Sequence, residues 1–306
     1  MRRTFWALEY VCKPGPYWVY FWTIEKPDIA AWAEGLEFER ISTVRKVLKA
    51  GLVNPLANFA PAGLLKGLLS ITKSELAAAN WKDPGGWRSM VISYDGRPTQ
   101  IADKVLVNAG TMSMALRNRR KLAARMLCGL IDSCPSEPVH VLCLGAGPGH
   151  IISDAMSQAK RNSVATLVDL SSDAFDYGRQ LAQRMGLDQR MRFVQGDVRD
   201  VAGMLDRRVD LVKMMGICEY LPDEIVVSIA KAVHGVMPAG SAVVFNTLTP
   251  AHGTDRFFRR VFGLHMIHRS AAALQALMAQ AGFGEFQGVG EPLGVYEVMV
   301  ARKTVQ

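Results

Sequence analysis

Apolar and polar positions change rhythm near residue 138. Downstream, short apolar runs alternate with stretches of helical period. This predicts strands at 139–144, 164–169, 191–194, 209–215, 240–247, 284–289 and 294–302, and helices at 149–160, 172–186, 198–205, 222–235 and 270–282. Strands that read as continuous apolar runs and alternate with helices form a parallel sheet covered on both faces. The last two runs are close together, separated by EPLG, and read as an antiparallel pair. Pro222 falls in a first helical turn and Gly282 at a helix end, where each residue type is at home.

Upstream, alternation is almost absent. Residues 1–134 read as helices at about 4–11, 28–50, 63–79 and 100–132. The aromatic stretch PGPYWVYFWTI at 14–24 fits a buried helix, with a lid or a segment on a membrane surface as alternatives. Residues 80–90 are loop-like around Pro84, Gly85 and Gly86, and residues 91–100 read as extended before a turn at Asp95-Gly96. A short linker, SCPSEP, separates a helical N-terminal cap or substrate domain (1–134) from an α/β domain (138–306).

The run VLCLGAGPGH at 141–150 carries the chemistry. A buried strand passes into Gly145, Gly147 and Gly149 and then into a helix, a turn that brings backbone N–H groups to a ligand. Asp169 ends the second strand, where two carboxylate oxygens suit the hydroxyls of a ribose. Gly196-Asp197 ends the third, where an acceptor can meet an adenine amino group. The pattern is G-x-G-x-G with His150 next, not the G-x-G-x-x-G of dinucleotide sites, so no pyrophosphate is expected.

In these motifs, over roughly residues 138–302, the chain resembles the class I S-adenosylmethionine (SAM) methyltransferases. The resemblance implies a Rossmann-like seven-stranded, mostly parallel sheet with helices on both faces. It places Gly145, Ala146 and Gly147 at the methionine end of SAM, Asp169 at the ribose, Leu170 against adenine, and Asp197 and Val198 at the adenine edge. Gly216, after the fourth strand, joins the cofactor set. An acid usually stands two positions before the first glycine; here it is Cys143. The stretch after the fourth strand, MMGICEYLPDE, lines the reaction centre in this family, so Cys218, Glu219 and Tyr220 are candidates there. No N/D-P-P-Y/F run follows. The segments SYDGRPT and LVNAGTMSMALRNRRK, together with GICEYL, are similar more loosely to a group of bacterial methyltransferases with an N-terminal helical cap. That resemblance brings forward Tyr94 as a catalytic candidate and Asp95, Asn108 and Ser113 as cap residues.

Composition narrows the rest. The 306 residues are 49% hydrophobic, yet no apolar run reaches the roughly 18 residues of a membrane span. Glu9 interrupts the apolar N-terminus, which argues against a signal peptide. Five cysteines without a C-x-x-C pair fit reduced thiols in a cytoplasm. The net charge of +8 lies in residues 1–134, with 19 Lys and Arg against 11 Asp and Glu. It reads as a solvated helical surface, and RNRRK at 117–121 is too short to argue for nucleic acid. The six histidines do not group at ligand spacing. His265 and His268, without a partnering acid, read as packing residues, and no metal is expected. The function implied is SAM-dependent methyl transfer to a small molecule. The alternatives are a SAM-consuming cyclase of the azetidine-2-carboxylate or aminocyclopropane carboxylate synthase type, which needs a pocket without room for an acceptor, and a non-enzymatic SAM-binding regulator. Peripheral membrane contact and a homodimer stay open.

Overall fold

The computed structural model describes residues 29–204 and 208–304. The helix expected at 4–11 and the aromatic stretch 14–24 lie outside these. The expected helix 28–50 is broken into α1 (Ile29–Trp32) and α2 (Thr43–Leu48), the latter capped by the Ser42 hydroxyl. A π-helical turn (Lys49–Val53) carries α2 into α3 (Asn54–Phe59). α4 (Ala62–Ile71) stops at Lys73, whose φ is +51°, and α5 (Glu75–Lys82) restarts from the Ser74 cap. The expected helix 63–79 is therefore two helices.

The stretch read as extended, 91–100, is a correction. Residues 87–95 form α6 (Trp87–Asp95), closed by Gly96 in the left-handed conformation. Val91 and Ile92 favour strands, but here tertiary packing overrides propensity. Val91, Ser89 and Ser93 are buried on the cap's inner side. The helix expected at 100–132 begins as α7 (Ile101–Asp103) and a second π-helical turn (Lys104–Ala109), then resumes after Gly110 as the long α8 (Thr111–Ser133).

From residue 139 the expected alternation holds. The strands are β1 (Val139–Leu144), β2 (Ser163–Asp169), β3 (Met191–Gln195), β4 (Leu211–Met214), β5 (Ala242–Asn246), β6 (Phe283–Gly290) and β7 (Glu297–Lys303). The helices are α9 (His150–Gln158), α10 (Ser172–Arg184), α11 (Val201–Met204), α12 (Asp223–Val236), α13 (Asp255–Phe257) and α14 (Ala271–Gln280). The sheet order is β3-β2-β1-β4-β5-β7-β6, with only β7 antiparallel to its neighbours.

Period-two burial in β1 splits the core. Val139, Val141 and Cys143 face α8 and α9, while Leu142 and Leu144 face α12 and α14. Leu122, Met126, Leu127, Leu130 and Ile131 of α8 belong to the first of these cores. The linker at 134–138 is thus the turn from α8 into β1, and it does not separate two cores. A third core joins Leu69, Ala77, Ala115 and Leu116 to Phe257, Val261, Phe262 and Leu264, from the long excursion between β5 and α14. That core holds the cap over the carboxyl ends of the strands, where open α/β sheets bind ligands.

Candidate active site

A cavity of about 860 Å³ runs from the glycine loop after β1 into the space under the cap. Gly145, Gly147 and Gly149 have φ of +54°, +52° and +85°. A side chain at Gly145 would collide with Ile217, so backbone alone forms this wall. Asp169, at the tip of β2, accepts hydrogen bonds from Gly147 N at 2.7 Å and Ser171 N at 3.0 Å, one on each carboxylate oxygen. Each oxygen keeps a lone pair for a further donor. Leu170 is 67% exposed beside it and lines the cavity, an apolar face left open at the point where a flat base would rest. Gly145, Ala146, Gly147, Asp169, Leu170 and Gly216 all line this cavity. The residues fit SAM.

Asp197 and Val198 are not among the lining residues. Asp197 instead caps the short turn after β3 and is gripped by Arg199, Nη2 to Oδ2 at 2.5 Å. Its carboxyl is held below its ordinary range by those hydrogen bonds. Asp95 and Asn108 are exposed outside the cavity wall, whereas Ser113 lines it, 3.4 Å from Ser93 Oγ.

Under the cap the sheet ends carry a polar cluster. Glu219 follows β4, is 5% exposed, and takes Arg119 Nη1 on Oε1 at 3.2 Å. Its other oxygen, Oε2, is buried without a hydrogen-bond partner. Arg119 reaches Tyr94 Oη at 3.3 Å and lies over the Tyr296 ring at 4.5 Å. Gly216 N donates to Asn246 Oδ1 at 3.1 Å, which fixes the turn leading to Glu219. Tyr220 stands at the mouth, 38% exposed, against Gly85 of the cap. The three catalytic candidates, Tyr94, Glu219 and Tyr220, thus share one cavity.

Three site residues escaped the sequence reading. Arg119 is the most informative, because RNRRK is not a solvated surface. Arg117 is bound to Glu39, Arg119 is buried, and Arg120 pairs with Asp154 at 2.6 Å. A signal existed. Arg119 lies one turn from Ala115, Leu116, Leu122 and Ala123, on the apolar stripe of α8. Lys213, on β4, stands opposite Cys143 in register and is buried. Burial lowers its pKa, and its Nζ donates a long hydrogen bond to Met215 O at 3.4 Å. Burial also pushes the Cys143 thiol up to about 12. The position usually acidic is therefore neutral and stands opposite a buried lysine. Trp87 packs over the glycine loop, and its Nε1 donates to Asp173 at 3.1 Å, tying the cap to α10.

His150 opens α9 and packs edge-on to Tyr94 and tilted against Tyr177, with ring centroids 5.6 and 5.7 Å away. Burial, with Arg120 and Arg184 nearby, lowers its pKa to about 3. The unfolded chain then binds a proton that the folded one refuses, so this residue's contribution to stability is present above about pH 6.5 and falls away toward pH 3. His150→Phe is expected to lose less melting temperature than wild type between pH 7 and pH 5, as read by thermal unfolding at each pH.

The comparisons with known proteins bear on this geometry. A family model described as "Putative methyltransferase" matches residues 96–303. The chain belongs to that methyltransferase family. The match takes in α8, the glycine loop and the whole sheet, while the cavity lining before residue 96, Trp87 and Tyr94 included, lies outside it. Among solved structures, magnesium protoporphyrin IX methyltransferase from Synechocystis, determined with S-adenosylhomocysteine bound, aligns over 78% of this chain and 99% of its own at 12% identity, TM-score 0.54. An O-methyltransferase family protein from Burkholderia thailandensis aligns over 64% and 59% at 15% identity, TM-score 0.52. At these identities the likeness is one of fold. The tRNA 5-carboxymethoxyuridine methyltransferase of Escherichia coli is 31% identical over 87 residues, 28% of this chain and 32% of that protein. The chain thus spans about a third of that curated relative. The Synechocystis enzyme has also been determined with SAM bound. No helix among the described residues is long and apolar enough to cross a membrane.

Proposed function

We propose that this methyltransferase acts on a small, largely apolar acceptor bound in the chamber under the cap, with Glu219 as the proton acceptor. The chamber itself carries the reading. Beyond the glycine loop the cavity continues between Leu48, Val53, Leu106, Phe257, Phe258 and Phe262. Three π-helical turns, Lys49–Val53, Lys104–Ala109 and Phe258–Phe262, contribute to its wall. Such turns bulge a helix and are frequent at functional sites. The space argues against the ring-closing alternative, which requires a pocket without room for an acceptor.

When bound, SAM supplies a methyl group activated by its sulfonium. The chain's own residues do the rest. Asp169 holds the ribose end of the cavity in shape, and Gly145 and Gly147 the methionine end. Lys213 offers a buried side-chain nitrogen to the carboxylate of the methionine moiety, a role that Cys143 leaves unopposed. Arg119 fixes one oxygen of Glu219 and leaves Oε2 free to take the acceptor's proton as the new bond to carbon forms. The chamber aligns the two reactants, the main source of rate in such transfers. An RNA substrate would need a basic track for its phosphates. Arg117, Arg119 and Arg120 are instead committed inside the protein.

Two variants test this reading. Lys213→Met is expected to weaken SAM about tenfold, the scale of one hydrogen bond to a charged group, by calorimetry on a protein that still unfolds cooperatively. Leu106→Trp fills the acceptor end alone. Transfer of labelled methyl groups from SAM into an organic extract of cells should fall steeply while SAM affinity holds. Undiminished transfer would remove the chamber as the acceptor site.

A further inference from the structure

Three side chains that the methyl-transfer chemistry does not use converge beside the chamber. His252 ends the turn Pro250–His252 after β5 and is 1% exposed. Asp255 opens α13, and His268 lies on the segment leading to α14. One nitrogen or oxygen from each lies within 4.8 Å of the others. His252 Nε2, Asp255 Oδ1 and His268 Nε2 are all buried, and none has a hydrogen-bond partner. Burying three polar atoms against one another without partners is costly unless something binds between them.

We propose that His252, Asp255 and His268 form a binding site for a divalent transition-metal ion of the Zn²⁺ class. Two imidazoles and one carboxylate are the ligand set such ions favour, whereas Mg²⁺ and Ca²⁺ take oxygen ligands. The surroundings orient the donors as outer partners of a metal site do. Arg259 Nε holds Asp255 Oδ2 at 2.7 Å, which leaves Oδ1 toward the imidazoles. Arg259 is itself fixed by Met266 O at 3.3 Å. Thr254 Oγ1 stands 3.1 Å from His252 Nδ1 and can accept a hydrogen bond from Nδ1–H, which leaves the Nε2 lone pair free. The longer contact from the Thr254 amide, 3.3 Å, belongs to the other tautomer. His268 Nε2 and Asp255 Oδ1 are 3.7 Å apart, close to the roughly 3.3 Å edge of a tetrahedron with bonds of about 2.0–2.1 Å. Three protein ligands leave a fourth position for a water or an acceptor oxygen. His252 and Thr254 border the chamber, so the site lies at its wall. Sequence spacing gave no hint, because the turn after β5 brings His252 and Asp255 to His268 only in the folded chain.

The full-length protein, stripped with chelator, should be titrated with ZnCl₂ by calorimetry and its metal content measured after gel filtration. The expected result is one Zn²⁺ per chain, with uptake lost in His252→Ala and His268→Ala. Thr254→Val should bind about 10- to 100-fold more weakly. SAM binding by each variant reports that it is folded. If an alanine variant fails that control, Asp255→Asn, which keeps the shape, decides the matter by the same loss. Absence of stoichiometric uptake by wild type would overturn the site and leave a His268–Asp255 ion pair. Uptake undiminished in the folded ligand variants would overturn it as well. Neither result touches the methyl-transfer reading, because the readout is metal bound.

Discussion

Glu219→Gln is expected to lower kcat for methyl transfer by about 10²- to 10⁴-fold, the usual share of a positioned general base, while SAM affinity stays near wild type. The substitution is chosen for what it preserves. A glutamine oxygen can still accept Arg119 Nη1, so the buried guanidinium keeps its partner. What disappears is the basic Oε2, buried and without a hydrogen-bond partner at the cavity wall. Removing Arg119 would be a poorer test, because it would strand a buried carboxylate and damage the fold. Rapid-quench measurement of labelled methyl transfer separates chemistry from release. An unchanged rate in a folded Glu219→Gln enzyme would take the proton-accepting role away from this residue.

Asp169→Ala should weaken SAM by about 30- to 150-fold, or roughly 2–3 kcal/mol for lost charged hydrogen bonds. Asp169 acts twice. On the proposed reading it presents acceptors to the ribose hydroxyls, and it holds the amides of Gly147 and Ser171 in place before any ligand arrives. Both losses fall on binding. The rate at saturating SAM should change far less than KM for SAM. Calorimetry showing unchanged affinity would dissolve the cofactor assignment of the whole loop.

The features legible in the sequence were those written in consecutive residues. VLCL, TLVD and RFVQGD each state a strand and its end, and the glycine loop states its own backbone conformation. The sheet and Asp169's place followed from them. Features that depend on distant partners did not. WRSM reads as loop after Pro84 and Gly85, and VISYD as extended because Val91 and Ile92 favour strands; only burial against the rest of the cap makes the two α6. The basic excess of residues 1–134 reads as a solvated surface until Glu39, Asp154 and Glu219 are placed against the arginines of RNRRK. Position 143 reads as a missing acid, but Lys213 opposite it is visible only from strand register. The boundary at 134–138 reads as a linker because Pro and Ser cluster there, although α8 before it packs on the sheet after it.

The most direct measurement follows the label from methyl-labelled SAM in three incubations of the pure protein: alone, with a small-molecule extract of cells, and with bulk tRNA. The account requires S-adenosylhomocysteine and an organic-soluble labelled product only where the extract is present. Label in tRNA, or methylthioadenosine formed from SAM alone, would contradict it.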